Sequence, residues 1–207
     1  MRASDWDQRY ATAEYVWRTE PNQFLPPEVA GLPTGRALDL AAGEGRNAVW
    51  LASQGWQVTG VDFSHAGIAK GARLAVDQGV TVEWRCADVT TWTPSPVFDL
   101  VVVFYLQLAA GERRAAFERA ARALAPGGTL LIVGHASVNL TEGVGGPQDP
   151  SVLYSPDEVA ADLEGAGIVG LVIDRAAHVR RRVETPNGDR DAIDCLVRAH
   201  RTTEETP

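Results

Sequence analysis

From Arg36 onward, apolar and polar positions alternate in blocks that separate strands from helices. Residues 37–41 form a short apolar strand, Gly43 and Gly45 mark a turn, and 47–54 reads as a helix closed by Gly55. The next strand, 57–61, ends in Asp62, and Ser64 is placed to cap a helix running to Gln78. Residues 80–85 alternate as a strand, whereas 99–104 is a continuous apolar run, as expected of a strand covered on both faces. A helix over 112–124, a turn at Pro126-Gly127-Gly128 and a second buried strand over 129–133 follow. Ser155 and Glu158 have capping-box spacing at the head of a helix over 155–165.

The pattern then changes. Segments 168–183 and 191–199 are both strand-like, and Asn187-Gly188 between them is a hairpin signal. Alternating strands and helices followed by a hairpin predict an α/β fold: a Rossmann-like seven-stranded sheet, mainly parallel, with a C-terminal antiparallel hairpin and helices on both faces. Such sheets bind ligands at the carboxyl ends of their strands, here 42–46, Asp62, Asp88, 103–107 and 134–137. Ahead of this domain (36–201) lies a segment, 1–35, whose Trp6, Tyr10, Tyr15 and Trp17 fall in a stretch that reads as helical. Pro21, Pro26 and Pro27 then interrupt any regular element. Residues 202–207 read as a flexible polar tail. The connection 136–153 is long and rich in Gly and Pro; it leaves the ligand edge and reads as a substrate lid.

Composition narrows the class. The chain has 207 residues, 45% of them apolar, which is enough for one well-buried domain. A net charge of −8 argues against a broad nucleic-acid surface. The one basic run, Arg180-Arg181-Arg182, reads as a solvated strand face, with an anchor for an anionic substrate group as the alternative. Cys86 and Cys195 have no metal-ligand spacing and read as two buried reduced thiols, in keeping with the cytoplasm. The N-terminal residues lack a signal peptide's apolar stretch, and no apolar run reaches the roughly 20 residues needed to span a bilayer. Monomer and homodimer both stay open.

The turn after the first strand carries the chemistry. Small residues at Ala41, Ala42 and Gly43 let a ligand approach the backbone, and Asp39 can accept from a ligand ammonium. Asp62, followed by Phe63, stands where an acidic group accepts from both ribose hydroxyls. Asp88 can accept from an adenine amino group while Val89 offers its N–H to the ring. Together these describe an adenosine site. Gly43-x-Gly45-x-x-Ala48 also fits the dinucleotide pattern, so an NAD-dependent oxidoreductase is an alternative. Against it, Asp39 would repel a pyrophosphate, Glu44 and Arg46 crowd the turn, and no second domain is visible.

Over roughly 36–200, these motifs resemble class I S-adenosylmethionine (SAM)-dependent methyltransferases. The resemblance runs through Asp39 to Gly45, Val61-Asp62, Ala87-Asp88-Val89, Phe98 to Val102 and Leu124 to Leu130. The family usually has glycine where this chain has Ala41. Gly43-Glu44-Gly45-Arg46-Asn47 with Leu51-Ala52-Ser53-Gln54-Gly55, and the opening Trp6 to Tyr10, look most like the small tellurite-resistance and thiopurine-type members. The resemblance implies SAM as cofactor, S-adenosylhomocysteine (SAH) as product, and in-line methyl transfer to a small-molecule O, S or N nucleophile, with no metal. It makes Tyr10 and Trp17 lid candidates, places Arg46 beside the cofactor, and sets Val103 and Phe104 at the strand end that lines it. His135 is the candidate base, and Tyr105 and Gln107 are the candidate substrate-facing groups; His65 reads as decoration of a helix. Methylation of a protein or nucleic acid, and a non-catalytic SAM-binding protein, are the remaining alternatives.

Overall fold

The computed structural model describes residues 3–11, 14–94, 97–186 and 188–203. Its sheet is built from β1 (Arg36–Leu40), β2 (Gln57–Asp62), β3 (Val82–Cys86), β4 (Phe98–Phe104), β5 (Leu124–His135), β6 (Leu171–Thr185) and β7 (Gly188–Arg201). The strand order is β3-β2-β1-β4-β5-β7-β6. The first five strands pair in parallel, while β7 runs antiparallel to both β5 and β6. This is the expected mainly parallel sheet with an antiparallel C-terminal hairpin.

Strand alternation feeds two separate cores. On β4, Val101 and Val103 pack with α5 (Ala110–Arg122) and α7 (Pro156–Gly165), while Leu100, Val102 and Phe104 pack with α2 (Leu25–Val29), α3 (Arg46–Ser53) and α4 (His65–Asp77). Every β4 position from Leu100 on is therefore buried, which is why that strand reads as an unbroken apolar run. Ser64 caps α4 by accepting from the Gly67 N–H, and Ser155 with Glu158 closes a full capping box on α7. The strand order reverses between β1 and β4, which opens a crevice at their carboxyl ends.

Several local expectations are corrected. The first helix, α1, is Ala3–Ala11, so Tyr15 and Trp17 lie beyond it in a bent segment. Pro26 and Pro27 do not break structure: they sit in the first turn of α2, where a missing N–H leaves no helical hydrogen bond unmade. Pro126-Gly127-Gly128 is taken into an irregular β5, with the register against β4 shifting between Phe98 and Leu100. The hairpin is longer than predicted, and the Asn187 of the expected turn lies outside the described residues. Of the tail, Thr202 is tied by its N–H to the Gly170 carbonyl (2.8 Å), and residues 204–207 lie outside the described residues.

The 136–153 connection is not structureless. It holds α6 (Asn139–Glu142), a 3-10 turn at Pro150–Val152 and a bridge between Ala136 and Tyr154. Buried Asn139 pins it: its Oδ1 accepts from the Ile193 N–H (2.7 Å), and its Nδ2 donates to the Gly145 carbonyl (2.9 Å). Among the described residues, no helix is long and apolar enough to cross a membrane.

Candidate active site

The turn after β1 is left-handed at three places: Ala41 (φ 60°), Gly43 (φ 56°) and Gly45 (φ 80°). Ala41 has a Cβ in a region that costs an L-residue about 1–2 kcal/mol, so the structure supplies the physical reason for a glycine there. Gly45 is doubly required, since a Cβ on it would come within 2.4 Å of the Trp84 ring. A Cβ on Gly43 would meet the Tyr10 hydroxyl at 2.9 Å, so Tyr10 lies directly over this turn.

Asp39 is buried beneath the turn. The Ala48 N–H, in the first turn of α3, bonds its carboxylate, but Oδ2 has no partner. Burial first, then the charge of Asp62, pushes the carboxyl up to about 7; Ala48 and Arg46 oppose this incompletely. Asp62, also buried, accepts from the Gly43 N–H on Oδ2 (2.8 Å) and from the Ser64 N–H on Oδ1 (2.9 Å). Burial holds its carboxyl above the usual range despite these bonds. Each of its oxygens keeps a second lone pair for a ligand hydroxyl. Phe63 is half-buried beside it. Asp88 is exposed; its Oδ1 accepts from the Thr90 N–H (2.8 Å) and hydroxyl (2.7 Å), an Asx turn that leaves Oδ2 for a ligand. Val89 is buried in the core with its side chain, as are Val103 and Phe104, so these three can present only backbone to the crevice.

The N-terminal segment is fastened over this half of the site by groups the sequence reading treated only as bulk. Glu44, 4% exposed, accepts from the N–H groups of Val16 and Trp17 (3.0 Å each) and from Lys70 Nζ (2.8 Å). Asp7 accepts from the Ser64 hydroxyl (2.5 Å) and the Ala66 N–H (3.1 Å), bonds that lower its carboxyl below the ordinary range. The Trp17 side chain donates to the Tyr10 hydroxyl, and the Arg9 guanidinium lies over the Trp6 and Trp17 rings. Burial, then the Asp62 charge, raises the Tyr10 phenol well above its usual value, so Tyr10 covers the turn as a neutral group.

A second cluster stands where the carboxyl ends of β4 and β5 meet the β6–β7 hairpin. Tyr105, itself left-handed (φ 55°), donates its hydroxyl to Asp194 Oδ2 (2.7 Å). Arg181 Nε donates to the same oxygen (2.8 Å) and to the Tyr105 hydroxyl (3.0 Å). Asp194 is fully buried; burial opposes its ionisation, but neighbouring His135, Arg181 and Tyr105 outweigh that and hold it below the usual carboxylate range. His135 lies directly across the β5–β7 ladder from Asp194, with Nδ1 3.2 Å from Oδ1 but out of line for a hydrogen bond. The imidazole is flanked by the Tyr105 ring, 4.7 Å between centroids, and by Gly146 of the 136–153 connection, whose Cβ would stand 3.0 Å from Nδ1. Gln107 is occupied structurally: Oε1 accepts from the His135 N–H (3.1 Å) and Nε2 donates to the Val152 carbonyl (2.7 Å). The structure thus gives Gln107 a bracing role between β5 and the 3-10 turn.

Comparison with known proteins decides what this arrangement belongs to. Residues 37–128 match the family described as a methyltransferase domain. The chain is 31% identical over 147 residues to thiocyanate methyltransferase 1 of Arabidopsis thaliana, covering 69% of this chain and 60% of that protein. It is 33% identical over 120 residues to trans-aconitate 2-methyltransferase of Rhizobium meliloti, covering 56% and 44%. It therefore spans less than two thirds of these relatives. Its fold matches the N-methyltransferase NodS of Bradyrhizobium japonicum in complex with SAH, with a TM-score of 0.68, 18% identity, and coverage of 96% of this chain and 97% of that one. The chain carries a class I SAM-dependent methyltransferase domain.

The methyltransferase domain holds surprises for a linear reading. Asp194 carries no local motif, and the motif around Glu44 does not show its role; each role becomes visible only when distant partners are brought together. Arg181 separates from its neighbours: Arg180 and Arg182 are exposed and pair with Asp189 and Asp191, while Arg181 turns inward to Asp194. Period-two alternation across the run could have signalled this. Cys195 is buried as expected, but Cys86 is exposed, with Sγ 3.5 Å from His65 Nε2.

Proposed function

We propose that this protein transfers the methyl group of SAM to a small-molecule acceptor by in-line displacement, yielding SAH. One observation carries the reading: a buried carboxylate oxygen, Asp39 Oδ2, without a partner, beneath a left-handed turn of small residues and one strand away from Asp62. That set fits an amino-acid ammonium beside a ribose. SAM bound there supplies an electrophilic sulfonium methyl. Asp39 accepts from its ammonium, Arg46 faces its carboxylate, and Ala41, Ala42 and Gly43 line the backbone path. Asp62 accepts from the ribose hydroxyls, Asp88 and the Val89 N–H hold the adenine edge, and the strand end at Val103 and Phe104 lines the cofactor's side with backbone.

Tyr10 and Trp17 exclude water over the cofactor, which strengthens every polar contact beneath them. The acceptor enters beside Tyr105 and His135, where orientation and near-attack distance supply most of the acceleration. His135 Nε2 accepts the acceptor's proton where the nucleophile carries one. The 136–153 connection acts as the substrate-side lid, because Gly146 packs on the His135 ring. The small acceptors in the names of two relatives, thiocyanate and trans-aconitate, set the size class extended to this chain.

Isothermal titration with SAM, SAH and NAD tests the cofactor: micromolar heat from the first two and none from NAD is expected, and NAD binding alone would overturn the reading. Shortening 143–148 is expected to reduce turnover more than SAH affinity; equal losses would remove the lid role.

A further inference from the structure

Arg181 reaches the acceptor side of the crevice from β6, with its guanidinium on Asp194 and over the Tyr105 ring. Arg46, at the head of α3, is close enough for the two positive charges to oppose one another. Among the described residues no carboxylate forms an ion pair with Arg46: Glu44 is taken by Lys70 and Asp194 by Arg181. Asp39, the carboxylate that favours the Arg46 charge, is itself only partly ionised near neutral pH. Arg181 is about a quarter exposed, and its Nε makes both of its short hydrogen bonds; Nη2 reaches Asp194 Oδ1 only at 3.5 Å. Nη1 and the second N–H of Nη2 therefore remain to bind a ligand, while Asp194 and Tyr105 fix the plane of the guanidinium. A guanidinium fixed in plane and partly withdrawn from water is placed to hold an anion through its outer N–H groups, where such a contact is worth most.

We propose that Arg181, held by Asp194 and Tyr105, binds an anionic group of the acceptor, a carboxylate or its like, and so selects anionic small molecules for methylation. This rests on the methyl-transfer reading above. Asp194 is then a positioning residue: it fixes the Arg181 fork and takes no part in the chemistry. Arg46 stays with the cofactor's own carboxylate, so the two arginines divide two anions between them.

Calorimetric titration of the SAH-saturated protein with benzoate and with benzamide, its neutral isostere, tests this; the ring suits Tyr105 and Leu106 beside the cluster. Benzoate is expected to bind at least about tenfold more tightly than benzamide. The double variant Arg181→Gln/Asp194→Asn removes the pair without stranding a buried charge. It is expected to lose the benzoate preference while keeping SAH affinity within about twofold. Equal binding of the two probes, no heat from either, or a preference retained in the double variant overturns the proposal. A matching loss of SAH affinity would assign Arg181 to the cofactor carboxylate and also overturn it. If the double variant does not fold, Arg181→Lys keeps the charge without the fork, and unchanged benzoate affinity there sinks the idea. Absence of SAH heat in the unsubstituted protein is a different failure, that of the methyl-transfer reading itself, and is seen before benzoate is added.

Discussion

At the end of β1 the crevice is lined by backbone: left-handed Ala41, Gly43 and Gly45, with two carboxylates, Asp39 and Asp62, set beneath the turn. Where the ends of β4 and β5 meet the β6–β7 hairpin it is lined by side chains that hold one another: Tyr105, His135, Arg181 and Asp194. The first half is assembled from one short stretch and its parallel neighbour, so its geometry is written in consecutive residues. The second draws on four strands and on residues up to 89 positions apart. A cofactor common to a whole family needs a standard backbone cradle. An acceptor that differs between members needs side chains that can be exchanged without disturbing the cradle.

The sharpest way to break this division is Asp62→Ala. It removes two ligand acceptors and the bonds that tie Gly43 and Ser64, and SAH affinity should fall by about 2–3 kcal/mol, roughly 30- to 150-fold. An equal loss from the Arg181→Gln/Asp194→Asn variant would erase the distinction between the halves.

Asp39 gives a pH signature confined to the cofactor half. Burial holds its folded carboxyl at about 7, above the 3.8 of an unperturbed group. The folded state therefore binds more protons between about pH 4 and 7, and the stability this group contributes at acid pH is lost as pH rises through 7. Binding of an ammonium runs the opposite way: SAH affinity should climb up to about tenfold per unit as pH approaches 7 and then level off. Asp39→Asn should flatten both dependences, measured by denaturant melts and titrations across that range. A profile identical to that of the unsubstituted protein would remove Asp39 from the site.

Glu44→Gln sharpens the role of the segment above the turn. It weakens the clasp on Val16 and Trp17 and the ion pair with Lys70, and should cost about 1–2 kcal/mol locally. Limited proteolysis within 12–20 should quicken about tenfold, with SAH protecting less than before. Unchanged cleavage would mean that Asp7 and Tyr10 hold the segment alone. The smallest effect is expected from Ala41→Gly, which relieves the left-handed alanine and should raise stability by about 0.5–1 kcal/mol in a denaturant melt, leaving SAH affinity unaltered. A fall in stability would show that the alanine methyl is packed rather than strained.

Legibility followed the same line. The alternating cores of β4, the Ser64 and Ser155 caps and the Gly43 turn all depend on neighbours within a few residues, and each was readable from the chain. The break of α1 at Ala11, the bracing of Gln107 and the exposure of Cys86 were not, because each is decided by what packs against it. The 136–153 connection reads as loose from its glycines, yet Asn139, an ordinary polar residue in sequence, pins it to β7.

The sequence by itself determined the sheet, its hairpin and the turn of small residues after β1, since periodicity, caps and left-handed turns are local consequences of side-chain size and backbone freedom. Only the tertiary structure decided that Arg181 meets Asp194, that Asp194 lies buried beneath it, and that Glu44 clasps the N-terminal segment. Those choices depend on which charges the folded sheet brings together and withdraws from water, and that energy does not exist until distant strands have paired.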